Sequence, residues 1–124
     1  MSRIRSLLLI LAALQMASLA QSGAPTDFGG GYFLMGSCQL AVKAMDNPSF
    51  RENPLEAYRD GYCRGLVRGI SDTSPKVCAP SNATYGQAIR LVAKYLHDNP
   101  GVLRGKDWIL VEGFLSRAYP CRRR

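Results

Sequence analysis

The chain has 124 residues, 47% of them hydrophobic, and a formal net charge of +7. This length excludes a multidomain architecture and leaves room for one small domain with a modest core. Much of the positive charge lies outside the predicted domain, at Arg3, Arg5 and the three terminal residues 122–124. The folded body is therefore only weakly basic, and the tail at 122–124 is predicted to be solvated.

Residues 1–20 have the three parts of a secretory signal peptide. Two arginines precede the apolar run Leu7–Leu14, and Ser18–Ala20 gives the small-x-small pattern of a cleavage site. An apolar run of about eight residues is well short of the roughly 20 that span a bilayer. We therefore predict cleavage after Ala20 and an exported protein without a stable membrane anchor; a short uncleaved anchor is the alternative. Export argues against a nucleic-acid partner for the basic tail.

The first predicted helix follows a glycine-rich lead-in at 21–31, which is predicted to be flexible. Residues 32–45 are apolar and follow the helical period, so much of this helix is expected to be buried. The segment 46–54 then contains two prolines and two asparagines. These residues predict that the first helix ends there.

A second helix is predicted to begin at Pro54, because Asn53 can cap it and proline fits the first helical position. Its apolar residues fall on one stripe, made of Leu55, Tyr58, Tyr62, Leu66 and Ile70, with Cys63 and Val67 beside it. The polar segment 71–83 ends this helix.

Two further helices are predicted after that break. Thr84 and Gln87 form a capping box at the start of the third helix, and this start also explains the glycosylation-like triplet Asn82–Thr84. Asp107 is predicted to cap the fourth helix, whose apolar stripe is Trp108, Val111, Leu115 and Ala118. No strand alternation and no internal repeat is found. The predicted fold is all-α, a small four-helix up-down bundle with short connections.

Gly61, Gly65 and Gly69 recur every four residues inside the second helix. Charged residues in the same segment exclude a membrane-spanning glycine interface, and a phosphate loop would need its glycines before a helix. Each interior glycine costs about 1 kcal/mol of helix stability relative to alanine. The pattern therefore indicates that another surface approaches the second helix closely at these glycines. Another helix of the bundle is the simplest interpretation, and a partner's surface is the alternative.

Cys38, Cys63, Cys78 and Cys121 form an even set in a small exported domain, which is typical of a disulfide framework. No C-x-x-C pair occurs and the chain has one histidine, so neither a metal site nor a thioredoxin-like motif is predicted. Cys38 and Cys63 lie near the middle of adjacent predicted helices. Cys78 precedes the third helix and Cys121 follows the fourth, which places them at one end of an up-down bundle. Of the three pairings, Cys38–Cys63 with Cys78–Cys121 is preferred.

The order of several residues resembles a known family. These residues are Cys63, Gly65, Gly69, Asp72, Val77–Pro80, Thr84, Gln87, Tyr95–His97, Pro100 and Tyr119–Cys121. The pattern looks like the Rap/Tai family of immunity proteins, which accompany peptidoglycan-amidase toxins of the type VI secretion system. It covers about Phe33 to Cys121, so residues 32–121 are taken as the immunity domain. The resemblance implies a periplasmic, all-helical protein that binds a cognate amidase, blocks its active-site cleft and often forms a homodimer.

Two other functions are weighed against inhibition. A catalytic role would rest on His97, the only histidine, yet no nucleophile accompanies it and the cysteines are predicted to be paired. No enzymatic activity, catalytic residue or cofactor is therefore predicted. A small disulfide-bonded periplasmic chaperone or stress protein is the alternative function, although nine acidic residues and one histidine are few for an acid-triggered chaperone.

Three polar, turn-rich segments are candidates for contact with a toxin: 46–53, 72–83 and 99–107. The resemblance does not say which of them makes the contact, and each is also consistent with a plain solvated loop. Trp108 is interpreted as a core residue of the fourth helix, with an interface anchor as the alternative.

Overall fold

The structure is a computed structural model and describes residues 28–122. The predicted signal peptide at 1–20, the lead-in residues 21–27 and the last two arginines lie outside the described residues. Within residues 28–122 there are four α-helices: α1 (Gly31–Asp46), α2 (Pro54–Thr73), α3 (Tyr85–Asp98) and α4 (Asp107–Ala118). A short 3₁₀ turn at Pro100–Val102 precedes α4. This part of the chain has no β-strand, only two isolated bridges, Gly30 with Lys106 and Val77 with Pro120.

Helices α2 and α3 begin where their capping residues predict. The side chain of Asn53 accepts from the N–H of Glu56 at 3.0 Å, and the Glu56 carboxylate accepts from the N–H of Asn53 at 2.9 Å. Thr84 and Gln87 make the same reciprocal pair at 3.1 and 2.9 Å. Each capping box satisfies N–H groups that the first turn of a helix leaves without partners. Both capping predictions are confirmed.

Helix α4 begins differently from the prediction. Asp107 is the first helical residue and not the cap, and Lys106 at the cap position makes no side-chain capping bond. One carboxylate oxygen of Asp107 accepts from the N–H of Trp108 at 2.7 Å, and the other accepts from the hydroxyl of Tyr62 in α2. The carboxylate of Asp107 therefore ties α4 to α2 as well as bonding within its own first turn.

The core lies among all four helices and two of the connecting segments. Its buried members within the described chain are Leu34, Cys38, Ala41, Cys63, Val67, Val77, Ala88, Ile89, Val92, Ala93, Leu96, Leu103, Val111 and Leu115. From α2 only Cys63 and Val67 are fully buried, whereas Leu55 and Tyr58 are 61% and 51% exposed. The predicted stripe is thus only partly buried: Tyr62, Leu66 and Ile70 pack at the edge of the core, whereas the residues beside the stripe form the centre of the buried face.

Two disulfides fasten the bundle. Cys38–Cys63 joins α1 to α2, with Cα atoms 5.1 Å apart, and Cys78–Cys121 joins the α2–α3 connection to the residues after α4, with Cα atoms 4.9 Å apart. Both preferred pairings are confirmed. The prediction of a small all-α four-helix bundle with two disulfides is also confirmed.

The glycines at the end of the lead-in pack onto the start of α4. The N–H of Gly31 donates to the carbonyl of Gly105 at 3.0 Å, and the N–H of Asp107 donates to the carbonyl of Gly29 at 3.0 Å. A Cβ atom on Gly31 would lie 2.6 Å from the carbonyl oxygen of Leu103. Gly29 has φ of 89°, a conformation that side chains disfavour. Glycine at position 31 allows the two chain segments to approach this closely, and glycine at position 29 allows the positive φ.

Candidate protein-contact surface

The connection between α2 and α3, which we call segment 74–84, is fastened to the C-terminal end of the described chain. The N–H of Cys78 donates to the carbonyl of Tyr119 at 2.9 Å, and an antiparallel bridge pairs Val77 with Pro120. The Cys78–Cys121 disulfide links the same two segments of the chain. Val77 is 7% exposed and belongs to the core cluster. The segment is therefore held by its backbone, by a covalent bond and by one buried side chain.

Glu112 of α4 anchors the first residues of segment 74–84. Its carboxylate accepts from the Ser74 hydroxyl at 2.8 Å and from the Lys76 ammonium at 3.0 Å. The hydrogen bond from Lys76, followed by that from Ser74, lowers the pKa of the Glu112 carboxyl below its ordinary value. Because Lys76 is exposed to water, this ion pair orients the segment and adds little to the stability of the fold.

A cleft of about 640 Å³ opens beside segment 74–84, at the end of α2 and the start of α3. Its lining residues are Ser71, Asp72, Val77, Cys78, Ala79, Ala83, Thr84, Tyr85, Ala88 and Tyr119. A second groove of about 490 Å³ is lined by Pro80, Asn82, Ala83, Gln87, Arg90, Leu91, Lys94 and Tyr119. Ala83 and Tyr119 line both depressions. Segment 74–84 and Tyr119 thus stand between two concave, partly apolar surfaces.

An ordered tyrosine forms the rim of the cleft. The hydroxyl of Tyr85 donates to the carboxylate of Asp72 at 2.6 Å, and the guanidinium of Arg68 lies 5.0 Å from the centre of its ring. The bond to Asp72 raises the pKa of Tyr85 above its ordinary value. The side chain is 42% exposed although it is held from two sides. A held, half-exposed aromatic ring is the kind of residue that carries energy in protein interfaces.

The other two candidate segments are built differently. The loop at 47–53 is held by local contacts, such as Ser49 to Asn47 at 2.7 Å, and by Phe50 lying 4.0 Å below the ammonium of Lys43. The connection at 99–106 contains a 3₁₀ turn and sends Leu103, 2% exposed, into the core. Of the three, segment 74–84 is the one that combines a covalent clamp with an adjacent cleft.

The three glycines of α2 do not pack against another helix. Together with two neighbours they form what we call the outer face of α2, namely Leu55, Tyr58, Gly61, Gly65 and Gly69, all exposed. Within residues 28–122, no atom outside the helix backbone lies within 4 Å of the position where a Cβ on any of the three glycines would be. The interpretation that they allow close approach of a bundle helix is therefore wrong. Their spacing places them on one face, and that face is turned to water. Contact with a partner's surface stays a prediction.

Four aromatic rings cluster at the N-terminal end of the outer face: Phe28, Phe33, Tyr58 and Tyr62. Phe33 lies 5.0 Å from Phe28 and 5.1 Å from Tyr62, measured between ring centroids. Tyr62 donates its hydroxyl hydrogen to Asp107, which is 5% exposed. Burial, and then this bond, raises the pKa of Tyr62 well above its ordinary value. Sequence reasoning missed the pair, because the helical period carries no signal between residues 45 positions apart.

Trp108 is not a core residue. It is 53% exposed, and its neighbour Ile109 is 50% exposed, because α4 turns Val111 and Leu115 towards the core. The core interpretation is therefore wrong, and an interface role for Trp108 stays a prediction.

The groups that could carry chemistry are dispersed or already bonded. His97 is exposed on the last turn of α3, with its Nδ1 3.2 Å from the carboxylate of Asp98. All four cysteines are in disulfides. Among residues 28–122 no three His, Cys, Asp or Glu side chains are grouped as metal ligands would be. In the same range no helix has the length and apolarity to cross a membrane. The features that this part of the chain does present are the clefts and the exposed aromatic rings described above.

Comparison with known proteins agrees with this arrangement. A family model described as Rap1a immunity proteins matches residues 30–121. Neither a curated protein nor a solved structure matches the chain. The matched range includes all four helices, both disulfides and segment 74–84. The match suggests a toxin-immunity function, exercised by non-enzymatic binding to a toxin, and the disulfides fit an exported protein. The chain belongs to the Rap1a immunity protein family.

Proposed function

We propose that this chain, after removal of residues 1–20, is a periplasmic immunity protein that binds and inhibits a peptidoglycan amidase delivered by type VI secretion. One observation carries the proposal. Within a domain of the immunity family, a single connecting segment is clamped by a disulfide beside a cleft of about 640 Å³. We assign the toxin contact to this segment, 74–84, with Tyr85 and Tyr119 at its sides.

The clamp supports binding because it reduces the ordering that binding would otherwise require. Immobilising a free loop on a partner costs conformational entropy, and a loop already held in one conformation avoids most of that cost. Segment 74–84 is held by the Cys78–Cys121 bond, by the bond from Cys78 to Tyr119 and by Glu112. Its outermost residues, Ala79 to Asn82, are nevertheless exposed. A rigid backbone with exposed, mostly small side chains suits insertion into the cleft of an enzyme.

The test uses the chain from Gln21 and a candidate periplasmic peptidoglycan amidase, with binding measured by calorimetry and inhibition measured as peptidoglycan cleavage. Ala79→Arg places a bulky charge on the exposed part of segment 74–84 and is expected to weaken binding by tenfold or more, about 1.4 kcal/mol. Ser49→Arg is the control, because Ser49 is also exposed and lies in the 47–53 loop. It is expected to bind as the unchanged chain does.

Other outcomes would redirect or overturn the proposal. Loss of binding in Ser49→Arg with retention in Ala79→Arg would move the contact to the 47–53 loop. An amidase that is bound without loss of its activity would contradict inhibition. Suppressed aggregation of unrelated unfolded proteins, in place of one stoichiometric amidase complex, would favour the chaperone function.

We further propose that the protein is a homodimer in which the outer face of α2 takes part. Three exposed glycines in one helix lower its intrinsic stability by about 1 kcal/mol each relative to alanine, and no contact within the described chain offsets this cost. Close approach of a second copy would offset it. Sedimentation equilibrium of the unchanged chain and of Gly65→Arg tests the proposal. A dimer that dissociates in the variant supports it; a monomer in both cases contradicts it.

A further inference from the structure

The two disulfides differ sharply in their access to solvent. Cys38 and Cys63 are both 0% exposed and lie in the core between α1 and α2. Cys78 is exposed, and Cys121 is partly exposed, at the surface between segment 74–84 and the chain end. Thiol–disulfide exchange requires that a thiolate reach a sulfur atom, so access is one of the factors that set its rate. A soluble reductant therefore reaches Cys78–Cys121 more readily than Cys38–Cys63.

The two bonds also differ in what they hold. Cys38–Cys63 adds a covalent link between helices that are already packed through Leu34, Ala41 and Val67. Cys78–Cys121 joins two pieces of irregular chain. Apart from it, the two pieces are joined by the bond from Cys78 to Tyr119 and the bridge of Val77 with Pro120, and the Sγ atom of Cys121 lies 3.6 Å from the carbonyl oxygen of Pro75. Reducing the exposed bond removes the covalent link between segment 74–84 and the chain end, whereas Cys38–Cys63 still links α1 to α2.

We propose that Cys78–Cys121 is a thiol-sensitive lock on segment 74–84, which a dithiol opens while Cys38–Cys63 remains closed and the four helices remain folded. The partner in the reaction is a dithiol, either a small molecule or the active-site pair of a thiol–disulfide oxidoreductase. The consequence for binding, a lower affinity for the amidase in the opened state, rests on the proposed function. The lock itself does not.

The chemistry balances without any other reactant. A thiolate of the dithiol attacks one sulfur of Cys78–Cys121; the bond between the two cysteines breaks and a mixed disulfide forms. The cysteine that leaves as a thiolate takes a proton from water. The second thiol of the reductant then attacks the mixed disulfide and releases the other cysteine. The protein has gained two electrons and two protons, and the reductant has become a disulfide.

Lys76 provides a direct measurement of the opened state. It lies in segment 74–84, two residues before Cys78, and its side chain is exposed, so the bond after it is a trypsin site once the segment can leave its place. Proteolysis follows the population of the open form when opening is fast. In the oxidised protein the backbone around Lys76 is held by Val77 and Cys78. Cleavage after Lys76 therefore reports on the lock.

The experiment treats the oxidised chain from Gln21 with increasing dithiothreitol, traps thiols with N-ethylmaleimide and locates them by peptide mass mapping. We expect a two-thiol species labelled at Cys78 and Cys121, with unchanged helical circular dichroism. In that species cleavage after Lys76 should be faster by about tenfold or more. The double variant Cys78→Ser with Cys121→Ser should show the same fast cleavage without reductant.

Two results would overturn the proposal: four thiols appearing together, or a two-thiol species that resists trypsin at Lys76 as the oxidised protein does. None of these measurements needs a toxin, so failure of the proposed function leaves them interpretable. Where an amidase is bound, its affinity for the oxidised and two-thiol forms is compared. Equal affinities would contradict the effect on binding, even if the lock opens as proposed.

Discussion

The two sides of α2 show how one helix can serve two environments. The inner side presents Cys63 and Val67, both 0% exposed, and Cys63 carries the bond to α1. The outer face presents three glycines with nothing packed against them. The inner side is stabilised by burial, whereas the outer face lowers helix stability in the isolated chain. The inner side therefore contributes to the stability of the fold by packing, whereas the described contacts give the glycines of the outer face no such contribution.

Val67→Ala should produce the largest effect on the free energy of unfolding. Removing two buried methyl groups loses their transfer free energy and leaves a cavity, for a cost of about 2–3 kcal/mol. Leu55→Ala on the outer face is the matched control, because its side chain is 61% exposed and should change stability by no more than about 0.5 kcal/mol. Urea denaturation measures both. Equal losses would show that the two sides do not differ as described.

Tyr62→Phe, at the boundary between the two sides, should have the next largest effect. The variant leaves the buried carboxylate of Asp107 without the hydroxyl that donates to it, at a cost of about 1–3 kcal/mol. Tyr58→Phe is the control, since Tyr58 is half-exposed on the same helix. The hydrogen bond between Tyr62 and Asp107 should also affect how the free energy of unfolding depends on pH.

The pKa of Tyr62 is raised in the folded state, so its protonated form is the one that the fold favours. Its contribution is therefore complete below the unfolded pKa of about 10 and is lost as pH rises through the folded value. The urea concentration at the denaturation midpoint of the unchanged chain should decrease as the pH rises above about 10. The fall should be shallower in Tyr62→Phe; it should not vanish, because Tyr85 also has a raised pKa. An unchanged slope would contradict the raised pKa of Tyr62.

Gly65→Ala should have the smallest effect and the opposite sign. The added methyl group meets nothing within 4 Å, and alanine favours the helix by about 1 kcal/mol. The unfolding free energy of the monomer should rise by about that amount. Gly31→Ala is the contrasting variant, because its Cβ would clash with the Leu103 carbonyl and the protein should lose stability. If Gly65→Ala destabilises a dilute monomer, the outer face is not open as described.

The starts of α2 and α3 could be predicted from the sequence because local chemistry decides them. A capping box needs only Asn53 with Glu56, or Thr84 with Gln87, and these residues meet whatever the rest of the chain does. The pairing of the cysteines followed from their places relative to the helices. The two helix starts required no knowledge of long-range packing, whereas the pairing required the assumption of an up-down bundle.

The side of α2 that faces the core could not be predicted from the sequence. The helical period shows which residues share a face, yet both sides of α2 carry apolar or small residues, so the period alone does not say which side is buried. Packing against α1 through Cys38 decides it, and the glycines consequently face water. Trp108 is a similar case, since a large apolar side chain in a first turn can lie on either side. The candidate segment 72–83 could not be distinguished from the other two by sequence, because the cleft beside it is also lined by Tyr119, which is distant in the chain.

The order of the cysteines along the chain has a consequence for how the protein matures. The rings closed by Cys38–Cys63 and Cys78–Cys121 follow one another in sequence and do not interlock. During vectorial emergence from the N-terminus, the first ring can close before Cys78 has appeared. At that stage an oxidant finds a single pair and no competing partner. The second ring then forms from the remaining two cysteines, so the chain can reach its native bonds without a disulfide isomerase to correct them.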